Sequence, residues 1–225
     1  MDTTISRSSL AAFSAPNRRE LTIFGLFVNL QLVFVILYYA TGIAHLTEPR
    51  YLIYGLLWVN VATVVLYRTS APKGVPFSTR RRALALATGY FGLLVLVGGL
   101  VAMGVPESAP GGVRIAWLTP GWGPALVYGG EWITIILAPA YLLGYLSLSY
   151  LLYVTILEAS GSSVAGLLGL LSCVSCTWPI VAGITGAVFG GGGLLAASAL
   201  ESSYDLSTAV FLLTVVIMYF RPGFR

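Results

Sequence analysis

Charge is what this chain most lacks. Of its 225 residues only 9% are charged and 57% are hydrophobic, with a mean hydropathy of +0.89. A soluble domain carries about 25% charged residues. This composition excludes a water-covered globule and leaves an integral membrane protein whose first partner is the lipid bilayer. Metal-binding and redox side chains are equally scarce: one histidine, two cysteines and three methionines. One histidine cannot supply the paired axial ligands that haem inside a membrane usually requires. No Gly-rich phosphate loop is present, so nucleotide hydrolysis would have to come from elsewhere. No Asp, Glu, Lys or Arg lies in the middle of an apolar segment, which argues against a proton-relay transporter or pump. Two closely spaced cysteines do not form a secreted disulfide framework. The net charge of +4 is not a nucleic-acid footprint, because the basic residues cluster between apolar segments. No catalytic residues are assigned, and the chain is not read as an enzyme.

What is present is a series of long apolar segments. A helix rises about 1.5 Å per residue, so crossing a hydrocarbon core of about 30 Å takes roughly 20 residues. The segments are 21–43, 51–67, 83–103, 132–157, 164–188 and 206–220. They predict an all-α fold: a polytopic membrane bundle with six transmembrane helices. Residues 1–20 form a tail, Ser- and Thr-rich as far as Pro16 and read as disordered. Residues 21–220 form one transmembrane domain, and residues 221–225 a short C-terminal tail. The positive-inside rule orients the chain with both termini in the cytoplasm. That places Arg7, Arg18, Arg19, Arg68, Lys73, Arg80, Arg81, Arg82, Arg221 and Arg225 inside, and only Arg50 and Arg114 outside. Arg18-Arg19 before an apolar run is read as the anchor of a retained helix, since no small-residue cleavage site follows. The stretch from Pro124 to Leu157 is read as one span kinked at Pro139. The outside loop from Gly104 to Gly123 is rich in Gly and Pro. With Trp132, its Trp117 and Trp122 are read as interface aromatics.

Polar residues inside the spans need partners, because an unpaired amide in lipid is costly. Asn29, Gln31 and Asn60 are therefore expected at interhelical contacts, worth about 0.6 kcal/mol each on average, with Asn29–Asn60 the natural pair. Glu131 is expected at the membrane interface. His45 and Glu48, in the short loop before the second span, are the candidate ligands on the outer side. Tyr141 and Tyr145, four apart on the fourth span, are expected to pack between helices; lining a polar crevice is the alternative.

The chemistry-bearing stretch is Cys173-Val-Ser-Cys176-Thr-Trp-Pro179. Gly166, Gly169, Cys173, Cys176, Gly183, Ala187 and Gly190 follow steps of three and four, with Ile180 filling the gap between Cys176 and Gly183, which puts them on one helix face. Small residues on that face let another backbone approach, so cysteine as a mere packing residue is one reading. Cα atoms three apart on a helix lie about 5 Å from each other, within disulfide reach of roughly 4.4–6.8 Å, and two sulfurs so placed can share one metal. Pro179 removes the donor to the Ser175 carbonyl and bends the helix beside the thiols. Buried thiolates need a compensating cation or a water-filled cleft. A soft ion such as Cu(I) or Hg(II) suits them.

From about Gly169 to Pro222 the chain resembles the first hairpin of the MerT-type mercuric transport proteins. A small-residue helix carries cysteines, and Cys176-Thr-Trp-Pro179 matches that family's Cys-x-x-Pro. The Gly-rich stretch (Gly183, Gly186, Gly190–Gly193), a segment with Glu201 and Tyr204, and an apolar span ending at Arg221 follow in order. The resemblance implies that Cys176, with Cys173 near the family's other cysteine, accepts a metal on the outer side and passes it inward. The family's cysteines are adjacent and here two residues intervene, and its further cytoplasmic cysteines have no counterpart. Three functions stay open: soft-metal transport or delivery to a membrane or extracytoplasmic partner protein, a structural or accessory subunit of a membrane complex, and thiol–disulfide exchange.

Overall fold

The computed structural model describes residues 17–42, 48–103, 111–159 and 194–220. The chain divides into two compact units. The first holds α1 (Arg18–Ala40) and the second runs from Leu46 to Arg221. In α1 only Tyr38 is buried, and Leu30 is 67% exposed.

The second unit contains α2 (Pro49–Arg68), α3 (Phe77–Val97), β1 (Val101–Met103), β2 (Gly112–Ala116), β3 (Ala125–Gly129), β4 (Ile133–Leu137), α4 (Pro139–Ala159) and α5 (Leu194–Phe220). Among the described residues, Arg18–Ala40, Pro49–Arg68 and Pro139–Glu158 are long and apolar enough to cross a membrane. The centre of the unit is α4. It packs against α2 and α3, and more lightly against α5. Its buried hydroxyls are satisfied within the helix: Ser147 donates to the Gly144 carbonyl, Ser149 to Tyr145 and Thr155 to Leu151. Back-bonding of this kind lets a helix bury Ser and Thr without outside partners.

The chain is mostly helical, but it is not all-α. Four antiparallel strands form a sheet in the order β1-β4-β3-β2. Residues 101–103 and 132–137, expected as helical, lie in or beside strands, and the loop expected between Gly104 and Gly123 contains β2. The causes are local. The third helix stops at Val97 because Gly98 and Gly99 close it. Leu100 N–H donates to the Val95 carbonyl at 3.1 Å, and Gly99 adopts φ +76°. This is a Schellman closure, in which a left-handed residue just past the cap favours glycine. Farther on, Gly130 N–H bonds the Ile133 carbonyl at 2.9 Å, turning the chain between β3 and β4. The β-branched run Ile133-Thr134-Ile135-Ile136 then favours a strand.

Pro139 does not kink a helix; it starts one. It occupies the first position of α4, where a missing N–H costs nothing. The residue before a proline is pushed out of the helical region, so Ala138 separates strand from helix. Pro49 opens α2 in the same way. The last helix begins at Leu194, earlier than the apolar run at 206, because Ser, Glu and Asp of 201–205 are too polar for a span yet compatible with a helix.

Candidate functional site beneath the sheet

Trp58 on α2 is the hub of the second unit's core. It is 2% exposed. Its ring stacks on Phe211 of α5 at 4.0 Å between centroids, 12° from parallel. Tyr141 and Tyr145 of α4 meet it edge-on at 5.5 and 6.1 Å, and Trp122 meets it tilted at 5.9 Å. The indole N–H donates to Thr208 Oγ1 at 3.2 Å. Gly144 lies against this indole with no room for a Cβ, which is how α4 comes flush with the ring.

Trp122 belongs to the segment between β2 and β3, and it is buried rather than interfacial. That segment reaches down onto α2. The Trp122 indole donates to the Tyr51 carbonyl at 2.7 Å, and Gly121 O accepts from Ala140 N–H at 3.1 Å. A Cβ placed on Gly55 would stand 2.9 Å from the Pro120 carbonyl oxygen and 3.0 Å from the Trp122 ring. Gly121 meets Gly55 from the other side with φ +95°, a conformation open to glycine. Two glycines, one in the helix and one in the loop, thus allow the backbones to touch.

Between this loop, the end of α3 and the start of α4 lies a cavity of about 540 Å³. Its walls include the Tyr51, Trp122 and Tyr141 rings, Leu118 and Thr119 of the loop, and the Gly98–Gly99 turn. Among the described residues no charged side chain lines it. A cluster of charge lies along α2 nearby: Arg50 Nε pairs with Glu48 at 2.5 Å, its Nη1 lies 3.9 Å from Asp205 of α5, and its guanidinium sits 5.1 Å from the Tyr51 ring centre. Tyr54 lies close to Asp205. Going down the α2–α5 seam, polar contact at Arg50–Asp205 gives way to Trp58–Thr208 and then to the Trp58–Phe211 stack.

Cys173, Cys176 and Pro179, which carry the chemistry read from the sequence, lie outside the described residues, as does His45. Glu48 is held by Arg50. The Asn29 amide donates to the Gly25 carbonyl of its own helix at 2.9 Å, and the Asn60 amide to Leu56 at 2.7 Å. Gln31 lies on α1, half-buried. Glu131 is exposed in the β3–β4 turn. Tyr145 packs in the core, while Tyr141 both packs and faces the cavity. Sequence reasoning passed over Trp58, Thr208 and Phe211. An indole and a hydroxyl inside apolar helices were the available signal, since each needs a hydrogen-bond partner. Among the described residues no three His, Cys, Asp or Glu gather into a metal site.

The chain belongs to a family of unknown function (DUF7546), whose model matches residues 3–225. No curated protein and no solved structure matches it.

Proposed function

We propose that this is an integral membrane protein crossing the bilayer six times, both termini in the cytoplasm, and that it handles a soft metal ion through Cys173 and Cys176. The crossings are α1, α2, α3, α4, residues 164–188 and α5. Several features support the membrane reading. Apolar side chains are exposed along α1, which water would penalise and lipid would not. Buried hydroxyls on α4 bond their own helix, as a dry environment demands. Most basic residues lie at the ends assigned to the inside, with Arg68 at the end of α2 and Arg80, Arg81 and Arg82 at the start of α3.

The observation that carries the metal reading is the Cys-x-x-Cys pair followed by Pro179 inside an apolar segment. These are the only cysteines in the chain, and the hairpin around them resembles the MerT-type proteins. Binding converts two thiols to thiolates and releases their protons, which makes loading pH-dependent. The cavity fits this chemistry. Its described lining offers no carboxylate to retain a hard cation, and it includes aromatic residues, whose ring faces attract cations. In the proposed orientation it opens on the outer side. The test is the metal content of the purified full-length chain after exposure to Cu(I) or Hg(II). About one ion per chain is expected, and none with Cys173→Ser/Cys176→Ser. A double variant that retains as much metal, and confers the same metal tolerance on cells, sinks the reading.

A second reading is an accessory subunit of a membrane complex, favoured by the closely spaced glycines from Gly183 to Gly193. A stable partner that co-isolates with both the wild type and the thiol-free variant supports it. Thiol–disulfide exchange is the third, and a pair that stays reduced under oxidising conditions counts against it.

A further inference from the structure

One face of the sheet is apolar, and among the described residues nothing covers it. Val113 and Ile115 of β2 pair with Tyr128 and Leu126 of β3, which pair in turn with Ile135 and Leu137 of β4. Side chains alternate faces along a strand, so these six share one side. Val113 is 69% exposed, and Ile115, Leu126, Tyr128 and Leu137 are exposed too. The opposite side holds Ala125, Val127 and Thr134, all buried. A sheet in water would have this pattern inverted, polar residues outward. A continuous apolar patch of this kind marks an interaction surface.

Three observations select the occupant. First, the chain fixes the depth of the sheet. β4 ends at Leu137 and α4 starts at Pro139, so one end of the sheet is held where a proposed crossing begins. β1 follows α3 with only Gly98, Gly99 and Leu100 between them. Second, aromatic residues border the face. Trp132, at the β3–β4 turn, is 81% exposed, and Trp117, just past β2, is also exposed. Trp and Tyr concentrate at the membrane–water interface. Third, among the described residues β1 and β2 are the outer strands of the sheet, with no further strand beside them. Unpaired backbone groups cannot enter hydrocarbon, so the sheet stays at interface depth.

We propose that the sheet lies on the outer leaflet, its Val113–Tyr128–Leu137 face seated at the boundary of headgroups and acyl chains. It acts there as an interfacial element, the strand counterpart of an amphipathic surface helix. The loop that closes the cavity joins β2 to β3, so lipid contact with the sheet bears directly on the cavity's roof. The face carries no basic residue, so its seating does not depend on anionic lipid. This inference rests on the membrane reading above.

Nitroxide scanning of the full chain in phosphatidylcholine nanodiscs tests it, in a Cys173→Ser/Cys176→Ser background. Labels go at Ile115→Cys and Leu126→Cys on the apolar face, at Arg114→Cys on the other side of β2, and at Leu30→Cys on α1. Collision with oxygen reports lipid, and collision with a water-soluble nickel chelate reports water. The oxygen-to-nickel ratio at Ile115 and Leu126 should be several-fold above that at Arg114, and unchanged when anionic lipid is added. Water-like values at Ile115 and Leu126 with a lipid-like Leu30 overturn this inference alone. Low accessibility to both reagents overturns it in favour of a protein covering the face. A water-like Leu30 overturns the membrane reading itself.

Discussion

Truncating Trp58 should remove the contact that joins α2, α4, α5 and the β2–β3 segment. The magnitude follows from the ring geometry. In water, Trp→Ala costs about 3–5 kcal/mol, a figure that includes transfer of apolar surface out of water. Inside a bilayer that transfer term shrinks, because acyl chains are as apolar as the core. Specific packing remains. The Phe211 stack is worth about 1 kcal/mol, each of the other three ring contacts about 0.5, and the Thr208 hydrogen bond about 0.6, in all about 3 kcal/mol. Trp58→Phe keeps a ring against Phe211 and loses the indole N–H, so it should cost only about 1 kcal/mol. The assay is reversible unfolding in mixed micelles titrated with denaturing detergent, read by circular dichroism. A double-mutant cycle of Trp58→Phe with Thr208→Val isolates the hydrogen bond, with an expected coupling of about 0.6 kcal/mol. The reasoning is refuted if Trp58→Ala costs less than about 1 kcal/mol, or if Trp58→Phe is as damaging as Trp58→Ala.

Two further substitutions probe the contacts around this hub. Gly55→Val should push Pro120 and Trp122 off α2, at a cost of about 1–3 kcal/mol. The emission of Trp122 should move to longer wavelength as its indole meets water; an unshifted spectrum would mean that the loop does not rest on Gly55. Tyr150→Phe removes a hydrogen bond from the phenol to the Thr69 carbonyl, 3.1 Å long. In the same detergent titration it should cost about 0.6 kcal/mol, and a loss several times larger would show that Tyr150 holds the end of α2 by more than this bond.

How much of this was legible in the sequence differs from element to element. The helices α1, α2 and α3 stand out because each is a long apolar run punctuated by charge or proline. Their observed starts fall two to six residues before the expected ones. The sheet was hidden by the same signal that revealed the helices. Residues 132–157 read as one hydrophobic run, and hydropathy alone cannot separate the four β-branched residues 133–136 from the first turns of a helix. The punctuation was present, in Gly98-Gly99, Gly129-Gly130 and Pro139, but each of these residues also occurs within membrane helices. Trp122 shows the limit most clearly. With Trp117 and Trp132 it has the look of an interface aromatic, yet it alone is buried, because Gly121 and Gly55 let its loop descend onto α2.

The sequence by itself determined the scarcity of charge, the long apolar segments and the location of the only thiols. These depend on composition and on order along the chain. Only the tertiary structure decided that residues 58, 122, 141, 145 and 211 meet around one indole, that a cavity opens beside them, and that one face of a four-stranded sheet presents exposed apolar side chains. Those facts depend on which segments pack together. Packing is set by shape and by backbone approach at a few glycines, and neither is written in the hydropathy of any single segment.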